Sequence, residues 1–133
     1  MSSPIPVVIC GKIPSHQEAV PKALQPDYEV LQLHANVESF AKGFPELLKA
    51  GKKPAAIFMG GGFDRDEFEA AYSVEGAASV PWLRPLRTKP GNESMMSGEA
   101  PPAHVVASVA RGAIDEHLDV VKAGKGAGEI WYY

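Results

Sequence analysis

"AAIFMGGGFDRDEFEAAY" runs from Ala55 to Tyr72. An apolar run stops at three consecutive glycines, and a charged, helix-like pattern follows. This is the pattern of a buried strand that turns sharply into a helix. Asp64 stands at the helix entry and Glu67 follows three residues later, the spacing at which a side-chain oxygen and a carboxylate can satisfy free backbone donors. Phe68, Ala71 and Tyr72 fall on one helical face. Glycine at 60–62 permits positive φ and close backbone approach, so the turn serves either as an anion cradle or as a flexible strand-to-helix connection. Asp64 and Asp66 would repel an anion, which favours the connection.

The same alternation repeats in both directions. Upstream, "IPVVIC" (Ile5 to Cys10) is a short β-branched run that reads as a buried strand. The following "SHQEAVPKAL" is helical, with Ser15 and Glu18 at capping-box spacing and Pro21 expected to end or kink it. "YEVLQLH" (Tyr28 to His34) alternates as a second strand, with Tyr28, Val30 and Gln32 on one face and Glu29, Leu31 and Leu33 on the other. Asn36 then caps a helix whose stripe is Val37, Phe40, Ala41, Phe44, Leu47 and Leu48, with Pro45 predicting a kink and Gly51 a stop. Downstream, "VPWLRPLR" is a fourth strand weakened by Pro81 and Pro85. A long polar loop, "TKPGNESMMSGEAPP", leads into one long helix, "AHVVASVARGAIDEHLDVVKAG", and "GEIWYY" closes the sheet.

Five strands separated by helices or helix-bearing connections make an α/β domain over residues 1–133: a three-layer open parallel five-stranded sheet in the flavodoxin-like order 2-1-3-4-5. A Rossmann-like half with another position for the last strand is the alternative. In the proposed order a helix after the fifth strand would complete one face. The sequence ends at "EIWYY", so apolar surface around Ile130 to Tyr133 is expected to be open, and a homo-oligomer, most simply a two-fold dimer, is expected to cover it.

Composition narrows the function. Hydrophobic residues make up 45% and charged residues 22%, with a net charge of -3. No basic block is present, so nucleic acid is not an expected partner. No run reaches the ~20 apolar residues that span a bilayer, and the N-terminus lacks the basic and apolar regions of a signal peptide. A soluble cytoplasmic protein with no membrane partner is expected. The lone Cys10 excludes an internal disulfide and a multi-cysteine zinc site. No metal site is expected, because no H-x-x-x-H or H-E-x-x-H spacing occurs. No cofactor is expected either. The dinucleotide fingerprint belongs after the first strand, where "GKIPSH" offers one glycine, and the phosphate loop G-x-x-x-x-G-K-[ST] is missing.

Ligands of open parallel sheets bind outside the carboxyl ends of the strands. That edge is predicted to gather Cys10, Gly11 and Lys12, His34 and Ala35, Gly60 to Asp64, and Arg87 to Lys89. Gly11, Lys12, Gly60, Gly61, Gly62, Arg87 and Lys89 are the candidate binders of a small anionic ligand. His34, Cys10 and Asp64 are the candidates for catalysis. Each has a plainer alternative: His34 as a strand-end residue, Cys10 as a small core hydrophobe, Asp64 as a helix cap. Arg84, Arg87 and Lys89 adjoin the long loop, which reads either as a lid or as a surface segment. A Ser/His/Asp centre is not indicated, since no G-x-S-x-G elbow is present. A binding or assembly module is the favoured function. A small enzyme acting on an organic acid or carbonyl compound is the alternative.

In length and element order the whole chain resembles bacterial response-regulator receiver domains. Receivers end their first strand in an acidic pair and their third in a phosphoaccepting aspartate. Here those strands end in "ICGK" and "FMGG", so the resemblance implies the architecture without that chemistry. The opening half, "VVICGKI", "YEVLQL" and "LLKAGKKPAAIFMGG", is also similar to the substrate-side N-terminal domain of D-2-hydroxyacid dehydrogenases, a likeness that implies a small-molecule site.

Overall fold

The computed structural model describes residues 4–11, 14–25, 27–59, 63, 65–84, 103–123, 126 and 128–132. Its strands are β1 (Ile5–Cys10), β2 (Tyr28–His34), β3 (Ala56–Met59), β4 (Trp82–Arg84) and β5 (Ile130–Tyr132). They form one sheet in the order β2-β1-β3-β4-β5, every neighbouring pair parallel. This is the flavodoxin-like order that the sequence predicts. The helices are α1 (Pro14–Leu24), α2 (Val37–Lys49), α3 (Arg65–Tyr72), α4 (Ala103–Glu116) and α5 (Leu118–Lys122), with a short 3-10 turn at Ala77–Ser79.

Strand alternation sorts the core into two layers. Val7, Ile9, Tyr28, Ala56, Phe58 and Leu83 face α1 and α4. Val8, Cys10, Ile57, Met59 and Trp82 face α2 and α3. Both faces of the central strands are therefore covered, which explains why they are apolar along their whole length.

α1 opens at Pro14, one residue before the expected cap Ser15. Proline suits a first helical position because its missing N–H would have had no partner there. Glu18 instead pairs with Lys22 at 2.9 Å, one turn along. Neither Pro21 nor Pro45 ends its helix. Val20 and Leu24, on either side of Pro21, are buried against the sheet. Phe44 and Leu47, on either side of Pro45, are buried likewise. Packing of these faces outweighs the single lost backbone bond.

Two further expectations are corrected. The single long C-terminal helix is broken at His117, whose backbone (φ -110, ψ 20) leaves the helical region before α5 begins. Its ring stacks on Trp131 of β5, centroids 4.0 Å apart and planes 6° from parallel. The sheet face that a further helix was expected to complete carries α4, which packs there through Ala107, Ala110, Ala113 and Ile114 beside Val20 and Leu24 of α1. Ile130 and Trp131 are half-buried, and Tyr133 lies outside the described residues.

The β1–β2 crossover moves toward one sheet edge over the α1 face, while β2–β3 and β3–β4 move the other way over the α2/α3 face, so these three share one hand. Between β4 and β5 the described helix α4 packs on the α1 face; residues 85–102 lie outside the described residues.

Candidate functional site

Register places Cys10, His34 and Met59 side by side at the carboxyl ends of β1, β2 and β3. His34 reaches this row through an irregularity. Val7 pairs with Val30, but Val8 pairs with Gln32, so Leu31 is an extra residue in β2. A one-residue slip moves every later side chain to the other face. Strict alternation would put Gln32 and His34 with Tyr28 on the α1 face. The bulge turns them toward α2.

There His34 is 6% exposed, the one polar residue among the buried side chains described. Its ring meets Phe40 edge-on at 5.7 Å. Gln32 Nε2 donates to the Gly43 carbonyl at 3.0 Å, which leaves Gln32 Oε1 facing His34 Nε2 at 2.8 Å. An amide oxygen only accepts, so Nε2 carries the proton. Nδ1 is then the acceptor for the Ser39 hydroxyl, 2.7 Å away. Burial holds the imidazole pKa below its ordinary value, which keeps the ring neutral. Ser39 lies in the first turn of α2. Its backbone N–H donates to Oδ1 of the cap Asn36 at 2.7 Å, and the residue itself is exposed. Gly43 is required opposite: a Cβ there would stand 2.8 Å from His34 Cε1.

Cys10 is 2% exposed, and burial raises its thiol pKa to about 12. It stays protonated near neutrality, which fits packing rather than nucleophilic attack. Met59 beside it is fully buried. Gly11 donates its N–H to the His34 carbonyl at 2.9 Å, and its own carbonyl accepts from the Gln17 side-chain amide. Lys12, Gly60, Gly61, Gly62, Asp64, Arg87 and Lys89 lie outside the described residues.

Arg84, at the end of β4, is the basic side chain placed at this edge among the described residues. Its guanidinium carbon sits 4.3 Å from the Phe68 ring centre, and Nη2 donates to the Phe63 carbonyl at 3.4 Å. Among the described residues no group of His, Cys, Asp and Glu could hold a metal ion, and no helix is long and apolar enough to cross a membrane.

Sequence reasoning named His34 but missed Gln32 and Ser39. Two signals were present: Gln32-x-His34 share a strand face, and Asn36-x-x-Ser39 has cap spacing. The bulge that joins them carries no sequence mark.

The comparisons agree with this geometry at the level of fold. No protein-family model matches the chain. The response regulator domain of Thermotoga maritima CheB is similar in structure, with a TM-score of 0.52 over 91% of this chain and 96% of that domain, at 15% identity. In sequence, the chain is similar to "Kojic acid related protein 6" of Aspergillus oryzae, 35% identical over 92 residues that cover 60% of this chain. The match spans 58% of that relative's length.

Proposed function

We propose that the chain is a binding or assembly module that takes a small anionic ligand at the carboxyl edge of its sheet. The observation that carries this reading is Arg84, a half-buried cation seated on the Phe68 ring and bonded to the Phe63 carbonyl. An arginine held against a ring is restrained before ligand arrives, so less side-chain freedom is lost on binding. The apolar pair Cys10 and Met59 at the ends of β1 and β3 favours binding over phosphoryl transfer, since neither side chain accepts a phosphoryl group under these conditions.

Thermal-shift and calorimetric titrations test the reading with phosphate, sulfate, pyrophosphate and kojic acid, the last because the Aspergillus oryzae relative carries its name. Saturable stabilisation by an anion, lost in Arg84→Gln and kept in Arg84→Lys, is the expected result. No binding by any probe, or equal binding by the folded Arg84→Gln variant, would overturn it.

A further inference from the structure

We propose that Ser39, His34 and Gln32 form a nucleophilic relay that transfers acyl groups from small carboxylic esters. Three independent features converge on it. The Ser39 hydroxyl is exposed yet bonded to a ring nitrogen at 2.7 Å. That nitrogen is the unprotonated one, because Gln32 Oε1 fixes the proton on Nε2. Gln32 is itself fixed by the Gly43 carbonyl. A nucleophile, a base within hydrogen-bond reach and a third group that orients the base make up the general arrangement for an activated hydroxyl. A surface serine needs none of this to cap or solvate a helix. A buried histidine could equally have been satisfied by one partner.

Ser39 Oγ attacks the acyl carbon while its proton passes to His34 Nδ1. The tetrahedral species collapses, the ester C–O bond breaks, and the leaving alkoxide takes the proton from Nδ1. Water then gives a proton to Nδ1, attacks the acyl-serine and releases the carboxylic acid, restoring the Ser39 hydroxyl. Backbone N–H groups of the first helical turn have no intrahelical acceptor. Those of Val37 and Glu38 precede Ser39 in this turn and are donors for the developing oxyanion. His34 is the general base. Gln32 is a positioning residue, and as a neutral amide it orients the ring without stabilising the imidazolium. Turnover is therefore expected to be slow, because the carboxylate of a serine-protease triad also stabilises the imidazolium that forms, and an amide does not.

The inference does not depend on the anion site, because its test uses neutral probes and residues remote from Arg84 in sequence. The full chain is treated with p-nitrophenyl acetate and, separately, with a fluorophosphonate, and the modified residue is located by mass spectrometry. Expected results are one label per chain on Ser39 and at least a tenfold loss of ester hydrolysis in Ser39→Ala. The rate should fall as pH drops through the lowered pKa of His34. Gln32→Leu should lower the rate at least tenfold while Ser39→Cys retains covalent acylation. Labelling spread over lysines, or hydrolysis equal in Ser39→Ala and the unaltered chain, would overturn the proposal. Ser39 is exposed, so circular dichroism of Ser39→Ala should match the parent and exclude unfolding as the cause of any loss.

Discussion

The two layers of the molecule solve the same packing problem with different side chains. On the α1/α4 side, alanines dominate the helical contribution: Ala19, Ala23, Ala107, Ala110 and Ala113 accompany Ile114, Leu24 and Val20. On the α2/α3 side the filling is aromatic: Phe40, Phe44, Phe63, Phe68, Tyr72 and Trp82. The difference follows from the last crossover. Sending α4 to the α1 face leaves only α2, α3 and a 3-10 turn among the described elements opposite. Two close helices need small contact residues, whereas sparse helices need long ones to reach across the gap. Trp82 stands at the centre of the aromatic layer. Its ring is met by Phe40 at 5.6 Å, Phe68 at 5.5 Å and Tyr72 at 5.9 Å, and its indole N–H donates to the Ala77 carbonyl at 2.9 Å.

The layers are also tied down differently. Arg111 of α4 joins the first layer to the α1–β2 turn through the Ala23 and Leu24 carbonyls, Asp27 and Asp115, with Tyr28 donating to Asp115 at 2.7 Å. The second layer has the His34 cluster instead, pinning β2 to α2. One fastening is charged and at the surface, the other neutral and buried.

Trp82→Ala should have the largest effect, about 3–5 kcal/mol of lost stability by urea denaturation, because the sparse layer has few means of closing the cavity. A loss no larger than that of a leucine in the alanine-rich layer would break the contrast. Gly43→Ala comes next. Alanine in a helix normally gains about 1 kcal/mol over glycine. Here its Cβ meets the His34 ring, and a net loss of about 1–3 kcal/mol is expected from overpacking. Gly112 is the control on the other side: nothing lies within 4 Å of its added Cβ, so Gly112→Ala should stabilise by up to about 1 kcal/mol. Equal signs at the two glycines would refute the packing account of either site.

The smallest expected effect is in pH. His34 titrates lower in the folded than in the unfolded chain because burial disfavours its charged form. The unfolded chain therefore binds more protons below its own pKa, about 6.5. The contribution of His34 to stability is present above that value and is lost as pH falls through the lowered folded pKa. Denaturation midpoints from pH 8 to pH 5 should decline less in a folded His34→Asn variant than in the parent.

How much of this was legible in the sequence depends on the range of the governing interaction. The Asn36 cap and the apolar runs of β1 and β3 are local, and they led to the right class and strand order. Three features were not local. The break at His117 is coupled to a ring stack with Trp131, fourteen positions C-terminal in a separate strand. The bulge at Leu31 exists because both sides of β2 must be matched to different helices, and period-2 reading alone predicts the wrong face for His34. The docking of α4 on the α1 face depends on which helix pair gains most by packing, which no segment encodes by itself. The candidate site shared this division: His34 was visible as a strand end, whereas its partners became visible only once the bulge had turned it.

The docking of α4 on α1 also bears on how the chain acquires its structure. Everything up to β4 can assemble in order, each new strand docking beside one already placed. α4 must then return to α1, and the Tyr28–Asp115 bond closes a span of 87 residues. Such long-range closure is entropically costly before its contacts form. α4, α5 and β5 should therefore behave as a late cooperative unit, opening together in native-state hydrogen exchange while the β1–β3 amides remain protected.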